Sequence, residues 1–303
     1  IHEIRAKVLH TDVRRTGFFT SSHEELNQLY NAVIWTERSN MHSVPTDCPQ
    51  RDERMAWLND MTVRCEAASI HFDLVHFYRK WMDDLADEQS SSGYVPDTAP
   101  YIYGGNPAQH ISSCMVLVPW LMYLNYGDET TMRKFYGNMR RYLLFLDSQT
   151  AEDGILKDKY YGEWAAPIGV CHEEIAWSAL PKDIPSGLVT TGYLYYVART
   201  MELVASHLDY PQDVNEYSEI AKKAKAAINL RYFNLVDGCY FPGSQGSNIF
   251  PLYLGIVPDG QHERVFRNLL QDLVNHRQYH LTTGNQMTKY LFEVLDQGER
   301  NGQ

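Results

Sequence analysis

The sequence lacks the features that mark several common protein classes. It has 5 cysteines in 303 residues and no CxxC pair, so neither a disulfide framework nor a zinc ribbon is indicated. Its apolar runs all fall short of the roughly 18–20 residues that a membrane-spanning helix needs. It contains neither of the glycine-rich phosphate-binding patterns, GxxxxGK[ST] and GxGxxG. The hydrophobic share of 44 % and the charged share of 21 % are instead those of an ordinary globular protein.

Positive charge is also scarce. Lys and Arg number 27 against 38 Asp and Glu, which gives a formal net charge of −11. Affinity for nucleic acid depends on basic side chains that neutralise phosphates, so we expect no nucleic-acid partner. An anionic membrane surface is disfavoured for the same reason. A neutral or cationic ligand is compatible with this charge.

The first forty residues predict an extended segment followed by a helix. Residues 1–20 carry β-branched alternation, which indicates a strand or an extended tail. Ser22 and Glu25 have the spacing of a capping box, so we expect a helix to begin there. Its apolar face would consist of Leu26, Leu29, Tyr30, Val33 and Ile34.

Helical periodicity continues through the rest of the chain. The sequence has no βαβ alternation, which disfavours a Rossmann fold or a TIM barrel, and no clean repeat that would indicate a solenoid. Long irregular stretches at 41–58, 89–108 and 150–186 exceed ordinary loop lengths and are typical of functional loops. We therefore predict an all-α toroid or barrel of about nine helices, with the long loops at one end. Further helices are predicted over about 59–86, 109–126, 129–148, 187–208, 213–234, 247–256, 261–276 and 284–297.

The densest polar cluster is TDCPQRDERMAWLND, residues 46–60, with four carboxylates, two arginines and a tryptophan. Clustered carboxylates repel one another, which raises the pKa of at least one of them. A glycosidase needs such a group as its general acid. Trp57 offers an apolar face for a sugar ring and an N–H at its edge. The alternative interpretation is a surface loop with local ion pairs and a buried tryptophan.

Two other loops carry acids beside aromatic residues. KDKYYGEWAAP contains Glu163 and Trp164, which suit a sugar site, although Trp164 could instead anchor the loop on the core. GYVPDTAPYIYGG contains Asp97, Tyr101 and Tyr103.

Metal and thiol chemistry are weakly indicated. His71 and His76 are five residues apart and do not share a helical face, and the run CHEE at 171–174 cannot aim all its side chains at one ion. Cys48 has no histidine near it in sequence, so a structural role is favoured over a nucleophilic one. We expect no metal and no cofactor.

The run TDCPQRDERMAWLND resembles the signature of bacterial α-L-rhamnosidases of glycoside hydrolase family 78, typically D-C-P-Q-R-x-E-R-x-x-W-x-x-D. Similar segments follow in the family's order: GYVPDTAP, NPA ahead of VPWLMYLNYGD, YGEWAAP, GSNIFPLYLGIVP and LTTGNQMTKYLFEVL. The resemblance covers about residues 10–303. It implies an (α/α)6 barrel of twelve helices that hydrolyses terminal α-L-rhamnose with inversion, so the partner would be a rhamnose-containing glycoside or polysaccharide.

The resemblance also implies roles for individual residues. Glu53 would be the general acid. Asp47 and Asp60 would hold rhamnose hydroxyls, and Arg51 would bind or steer within the same cluster. Trp57 and Trp164 would form apolar walls that suit the 6-methyl group. The implied substrate-binding residues are thus Asp47, Arg51, Trp57, Asp60, Glu163 and Trp164, with Glu163 standing where the family usually has Asp.

Two further departures from the family pattern bear on activity. NPAQHISS replaces a run that usually reads PAWGDA, and the TTIWExW-like segment that carries the family's general base has no counterpart here. We therefore expect a catalytic domain at 18–303 without its last helices, preceded at 1–17 by the end of a β-rich domain or linker. The rest of the full-length protein would supply the missing helices and the general base. If this chain hydrolysed a rhamnoside by itself, Glu163 or Asp97 would be the substitute base. The alternatives are a non-catalytic sugar-binding fragment and a glycosidase of different specificity on a helical toroid.

Overall fold

The computed structural model describes residues 3–105, 110–156, 162–167, 169 and 183–300. These residues form ten α-helices and two small two-stranded sheets. None of the described helices is both long enough and apolar enough to cross a membrane. The chain divides into two compact units, Ile1–Tyr142 and Leu143–Gln303.

The helices follow one another with few strands between them. The first five are α1 Glu24–Ser39, α2 Leu58–His71, α3 Val75–Glu88, α4 Cys114–Tyr126 and α5 Glu129–Ser148. The others are α6 Ser186–His207, α7 Pro211–Tyr232, α8 Gln245–Tyr253, α9 His262–Gln271 and α10 Asn285–Arg300. The strands are β1 Met41–His42, β2 Val44–Pro45, β3 Phe233–Asn234 and β4 Cys239–Tyr240, which pair antiparallel as β1–β2 and β3–β4.

The N-terminal segment is an extended tail rather than a regular strand. Its described residues ahead of α1 form a single isolated bridge, between Arg15 and Phe72. The predicted capping box is wrong, because His23 is the N-cap of α1 and makes no side-chain capping bond. Ser21 instead pairs with Asn27, whose Oδ1 accepts the Ser21 backbone N–H at 2.8 Å.

The predicted apolar face of α1 is largely open to solvent. Ile34 is buried, but Leu26 is 47 % exposed and Leu29 is 61 % exposed. The periodicity of the sequence therefore locates the helix correctly without showing how much of its apolar face is covered.

The single helix predicted at about 59–86 is two helices, α2 and α3. The chain leaves helical geometry at Phe72, and the His71 carbonyl accepts N–H groups from Thr16 and Gly17 of the N-terminal tail. Phe72 and Leu74 are fully buried at the break. Burial of these side chains and pairing with the tail outweigh the helical periodicity, which continues unbroken in the sequence.

The first unit places the acid-rich loop directly ahead of α2. Helix α2 packs on α4 beneath that loop, and the indole of Trp81 on α3 donates to the Ala99 carbonyl at 3.0 Å. The Leu58 backbone N–H at the start of α2 donates to the Asp97 carbonyl at 2.9 Å. The loops at 41–58 and 89–105 are thus fixed to each other and to the buried core.

The second unit is built on the hairpin of α6 and α7, with α8 packed on α9 and α10. Its core contains stacked aromatic rings: Tyr290 lies 4.1 Å from Tyr253 and 5.2 Å from Phe250, measured between ring centroids. The hydroxyls of Tyr193 and Tyr290 are 3.1 Å apart inside this core. These contacts hold the N-terminus of α10, where the second candidate loop is attached.

Candidate active site

Asp47 closes the acid-rich loop on itself. Its Oδ1 accepts the Met55 backbone N–H at 2.8 Å, and its own backbone N–H donates to the Met55 carbonyl at 2.9 Å. The Asp47 side chain is only 7 % exposed, and its Oδ2 lies 3.5 Å from Nη2 of Arg51. The two bonds between Asp47 and Met55 therefore close the segment 47–55 into a loop, and Glu53 is part of that segment.

Glu53 receives a nitrogen donor on each of its carboxylate oxygens. Trp57 Nε1 donates to Oε1 at 2.7 Å, and Arg51 Nε donates to Oε2 at 2.7 Å. The Glu53 side chain is 26 % exposed and that of Arg51 is 61 % exposed. The predicted acid is therefore oriented by the predicted indole wall, yet it is accessible to a ligand.

Asp60 lies in the first turn of α2, where its carboxyl group is withdrawn from water. The pKa of Asp60 is raised to about 6, mainly by burial; the charge of Arg64 opposes this shift, and those of Asp47 and Glu53 add to it. Around pH 6 this group accordingly changes from a neutral acid to an anionic acceptor for hydroxyl groups as pH rises.

Arg64 also contributes to the site, although it lies outside the sequence motif at 46–60. It follows Asp60 by one helical turn, and its Nη2 donates to the Thr46 carbonyl at 3.0 Å. Arg64 thus joins the start of the acid-rich loop to α2 and places a positive charge beneath Asp60. The i,i+4 spacing of an acid and an arginine on a predicted helix is the sequence signal that could have shown it.

Cys48 lies inside the cluster without the properties of a nucleophile. Its side chain is buried, and burial raises the pKa of the thiol, so the protonated form is favoured. Its Sγ, one carboxylate oxygen of Asp47 and one of Glu53 lie within 4.8 Å of one another, a spacing that could hold a metal ion. A metal ligand would have to be a thiolate, and Arg51 already supplies a positive charge to both carboxylates.

Among the described residues, neither His71 nor His76 belongs to a group of side chains that could hold a metal ion. His71 Nδ1 lies 2.7 Å from Glu37 Oε2, so this histidine has a carboxylate partner in the core of the first unit. The run CHEE at 171–174 lies outside the described residues.

Asp97 supports the loop beside Trp57. The Asp97 side chain is buried, and its Oδ2 accepts the Gly105 backbone N–H. The backbone N–H of Asp97 donates to the Gly105 carbonyl at 2.9 Å. A Cβ on Gly104 or Gly105 would lie within 3.0 Å of Asp97 side-chain atoms, so these glycines allow the loop to close over the carboxylate.

Glu163 caps the N-terminus of α10 in the second unit. Its Oε1 accepts the Gln286 backbone N–H at 2.8 Å, its Oε2 accepts that of Met287 at 3.2 Å, and its side chain is buried. The Trp164 carbonyl accepts the Asn285 N–H at 2.8 Å. Gly284 allows this approach, because a Cβ there would lie 2.1 Å from the Trp164 carbonyl oxygen.

The stability of the second unit should depend on the protonation of Glu163. Burial raises the pKa of Glu163 from 4.5 to about 7, although the backbone N–H donors oppose the shift. Between these two pH values the folded protein retains a proton that the unfolded chain releases, so this group makes the free energy of unfolding fall as pH rises. The expected fall is about 3 kcal/mol, at about 1.4 kcal/mol for each pKa unit.

Urea denaturation of wild type and Glu163→Gln at pH 5 and pH 8 measures this effect. We expect the stability of the variant relative to wild type to rise by about 3 kcal/mol between the two pH values. Glu152→Gln, at an exposed position of the same unit, serves as the control and should show no such change. A difference between wild type and Glu163→Gln that is independent of pH would contradict the argument.

The predicted site residues thus form two groups. The first unit contains Asp47, Arg51, Glu53, Trp57 and Asp60, in a segment of consecutive loop and helix residues. The second unit contains Glu163, whose oxygens face α10, and Trp164, which is half-buried.

Comparison with known proteins identifies the family. Residues 14–303 match the family described as the bacterial alpha-L-rhamnosidase 6 hairpin glycosidase domain. The chain belongs to this family. The predicted fold class, all-α of the (α/α)6 type, is thereby confirmed.

Solved α-L-rhamnosidases agree with this assignment. The structure from Dictyoglumus thermophilum has a TM-score of 0.90 and 34 % identity, over 96 % of this chain and 32 % of that one. The Streptomyces avermitilis α-L-rhamnosidase complexed with L-rhamnose has a TM-score of 0.84 and 27 % identity, over 96 % of this chain and 27 % of that one.

Curated relatives are also named α-L-rhamnosidase. An α-L-rhamnosidase of Streptomyces avermitilis is 29 % identical over 294 residues, and one of Formosa agariphila is 26 % identical over 295 residues. These matches cover 96 % and 97 % of this chain but 27 % and 31 % of the relatives. The rhamnosidase-family chain therefore spans less than a third of the length of these relatives.

Proposed function

We propose that this rhamnosidase-family chain forms the catalytic domain, at 18–303, of a glycosidase that releases terminal α-L-rhamnose by general acid catalysis with inversion. The observation that carries the proposal is the setting of Glu53, which is partly exposed and held between Trp57 Nε1 and Arg51 Nε. The names of the relatives support rhamnose as the sugar.

The geometry suggests which oxygen of Glu53 carries the transferable proton. Trp57 Nε1–H keeps Oε1 as an acceptor, so the proton belongs on Oε2. Arg51 occupies Oε2 in this structure, but its side chain is largely exposed and can turn away when a ligand arrives. Oε2 would then protonate the glycosidic oxygen as the bond from that oxygen to the sugar C1 breaks.

The sugar would be held by the groups that surround the acid. The carboxylates of Asp47 and Asp60 can accept hydrogen bonds from sugar hydroxyls, and the indole face of Trp57 suits the apolar face of a deoxysugar. Trp164, in the second unit, stays a predicted apolar contact for the sugar. Glu163 would contribute to substrate binding by fixing the backbone of Trp164 to α10, since its own oxygens accept backbone N–H groups.

Inversion requires a second carboxylate, which takes a proton from the attacking water on the opposite face of the sugar. Asp97 and Glu163, the two candidates from the sequence, are both buried with carboxylate oxygens that accept backbone N–H groups. Neither is placed to hold a water molecule against a sugar. The proposal therefore assigns the base to a part of the protein other than the described residues.

Hydrolysis of an aryl α-L-rhamnoside tests the function directly. The substrate is offered to this chain and to a form extended at its C-terminus toward the length of the relatives, with the aryl β-D-glucoside as control. We expect turnover of the rhamnoside by the extended form alone, with the inverted anomer seen first by NMR. Turnover by both forms would place the base within this chain, and binding without turnover by either would favour a non-catalytic sugar-binding module.

A further inference from the structure

Three consecutive exposed apolar side chains form a tip in the loop of residues 89–105, and one of them contacts Trp57. Tyr101 is 40 % exposed, Ile102 is 68 % exposed and Tyr103 is 67 % exposed. The ring of Tyr103 meets Trp57 edge-on, with centroids 6.5 Å apart and an angle of 81° between the planes. The proposed mechanism makes no use of these three side chains.

The backbone of this tip is held firmly. The Tyr101 N–H donates to Glu88 Oε1 at 2.9 Å, and the Ile102 N–H donates to Thr98 Oγ1 at 3.3 Å. The Thr98 hydroxyl in turn donates to the Tyr103 carbonyl at 2.9 Å. Side chains that are exposed and apolar on an ordered loop are preorganised for contact with a ligand, since little entropy is lost when the ligand binds.

Trp57 connects this tip to the catalytic acid. Its Nε1 edge donates to Glu53, and its six-membered ring lies against Gly104, where a Cβ would come within 3.0 Å of Cζ3. A general acid protonates the oxygen that joins the sugar to the leaving group, so the leaving group departs beside the acid. A leaving group that extends along Trp57 from Glu53 would therefore reach Tyr103.

We propose that Tyr101, Ile102 and Tyr103 form a binding site for a flat, apolar leaving group, an aryl aglycone, on the rhamnoside. The segment 98–105, TAPYIYGG, has no charged side chain, whereas a sugar leaving group calls for a denser set of hydrogen-bonding groups. Two tyrosine rings and an isoleucine instead offer faces and edges for an aromatic ring. The proposal rests on the proposed function, because it takes Glu53 as the acid.

Two substrates that differ by one phenyl ring isolate the contribution of this site. Benzyl and methyl α-L-rhamnoside both release poor alcohol leaving groups, so their demands on the acid are similar. In the active extended protein, we expect Tyr103→Ala to lower kcat/KM for the benzyl substrate by about 3–10-fold, mainly through KM, and to leave the methyl substrate nearly unchanged. Tyr103→Phe keeps the ring and should retain wild-type preference.

Other outcomes overturn the proposal in distinguishable ways. Equal losses on both substrates would show that Tyr103 acts by supporting Trp57. A larger loss on a rhamnosyl-glucose disaccharide than on the benzyl substrate would assign the site to a sugar. If wild type turns over neither rhamnoside, the proposed function fails, and the ratio of benzyl to methyl Kd values by calorimetry still tests the loop. That ratio should change between wild type and Tyr103→Ala, and an unchanged ratio refutes the aryl site.

Discussion

Glu53→Gln should lower kcat by about 10²–10⁴-fold on a rhamnoside with a poor leaving group, which is the range that general acid catalysis contributes. The amide has nearly the shape of the carboxyl group and can still accept the Trp57 N–H, but it cannot deliver a proton to the glycosidic oxygen. A good aryl leaving group needs less protonation, so its kcat should fall much less. Steady-state kinetics of the extended protein on both substrates measures the difference.

Asp52→Asn is the matched control for this experiment. Asp52 is the neighbouring residue, its side chain is fully exposed, and it pairs with Arg54 at 3.6 Å. Removing its charge should change kcat less than twofold, since exposed ion pairs contribute little. The acid role of Glu53 is refuted if good and poor leaving groups lose equally, or if Asp52→Asn reproduces the loss.

Asp60→Asn should change stability and activity in opposite directions. The pKa of Asp60 is raised from 3.8 to about 6, so the folded protein at pH 8 bears the cost of a partly desolvated charge. Removing that charge should raise the free energy of unfolding by about 1–2 kcal/mol, less than the whole shift implies because Arg64 loses a nearby negative charge. The loss of an anionic acceptor for sugar hydroxyls should lower kcat/KM by about 10–100-fold.

The change in the free energy of unfolding caused by Asp60→Asn should itself depend on pH. Below about pH 4 Asp60 is protonated in both the folded and the unfolded states, so the gain in stability should vanish there. Between pH 4 and 6 the gain should grow as pH rises, because wild type loses stability in that interval while the variant does not. Denaturant unfolding at pH 4 and pH 8 tests the predicted gain in stability, and kinetics at pH 7 test the predicted loss of activity. A variant that loses stability at pH 8 would make Asp60 structural, and unchanged kcat/KM would remove it from the site.

The sequence predicts the helices well wherever turns separate a helix from its neighbours. The segment predicted at 129–148 is α5, Glu129–Ser148, and the segment predicted at 187–208 is α6, Ser186–His207. The prediction is wrong at 59–86 because Phe72 and Leu74 keep the helical periodicity while the N-terminal tail takes the backbone hydrogen bonds of the break. Such a partner lies more than fifty residues away and leaves no local signal.

In the candidate site too, contacts between residues close in sequence could be predicted, and contacts with distant residues could not. The contacts among Asp47, Arg51, Glu53, Met55 and Trp57 join residues two to eight positions apart, so a motif in one stretch of sequence contains the whole cluster. The cap that Glu163 forms on α10 pairs a carboxylate with backbone N–H groups, which every residue except proline has. No residue type could have indicated that partner, and the sequence alone suggested a ligand-facing acid instead.

This difference in spacing has a consequence for the order in which the two groups can form during folding. The donors to Glu53 come from residues two and four positions away, so the closure of this loop costs little chain entropy and can occur as soon as the segment is ordered. The bond from Gln286 to Glu163 closes a span of 123 residues and must wait for α6 through α10 to assemble. The loop that holds the acid is thus an early local structure, whereas the loop of Trp164 is attached only once the second unit has folded.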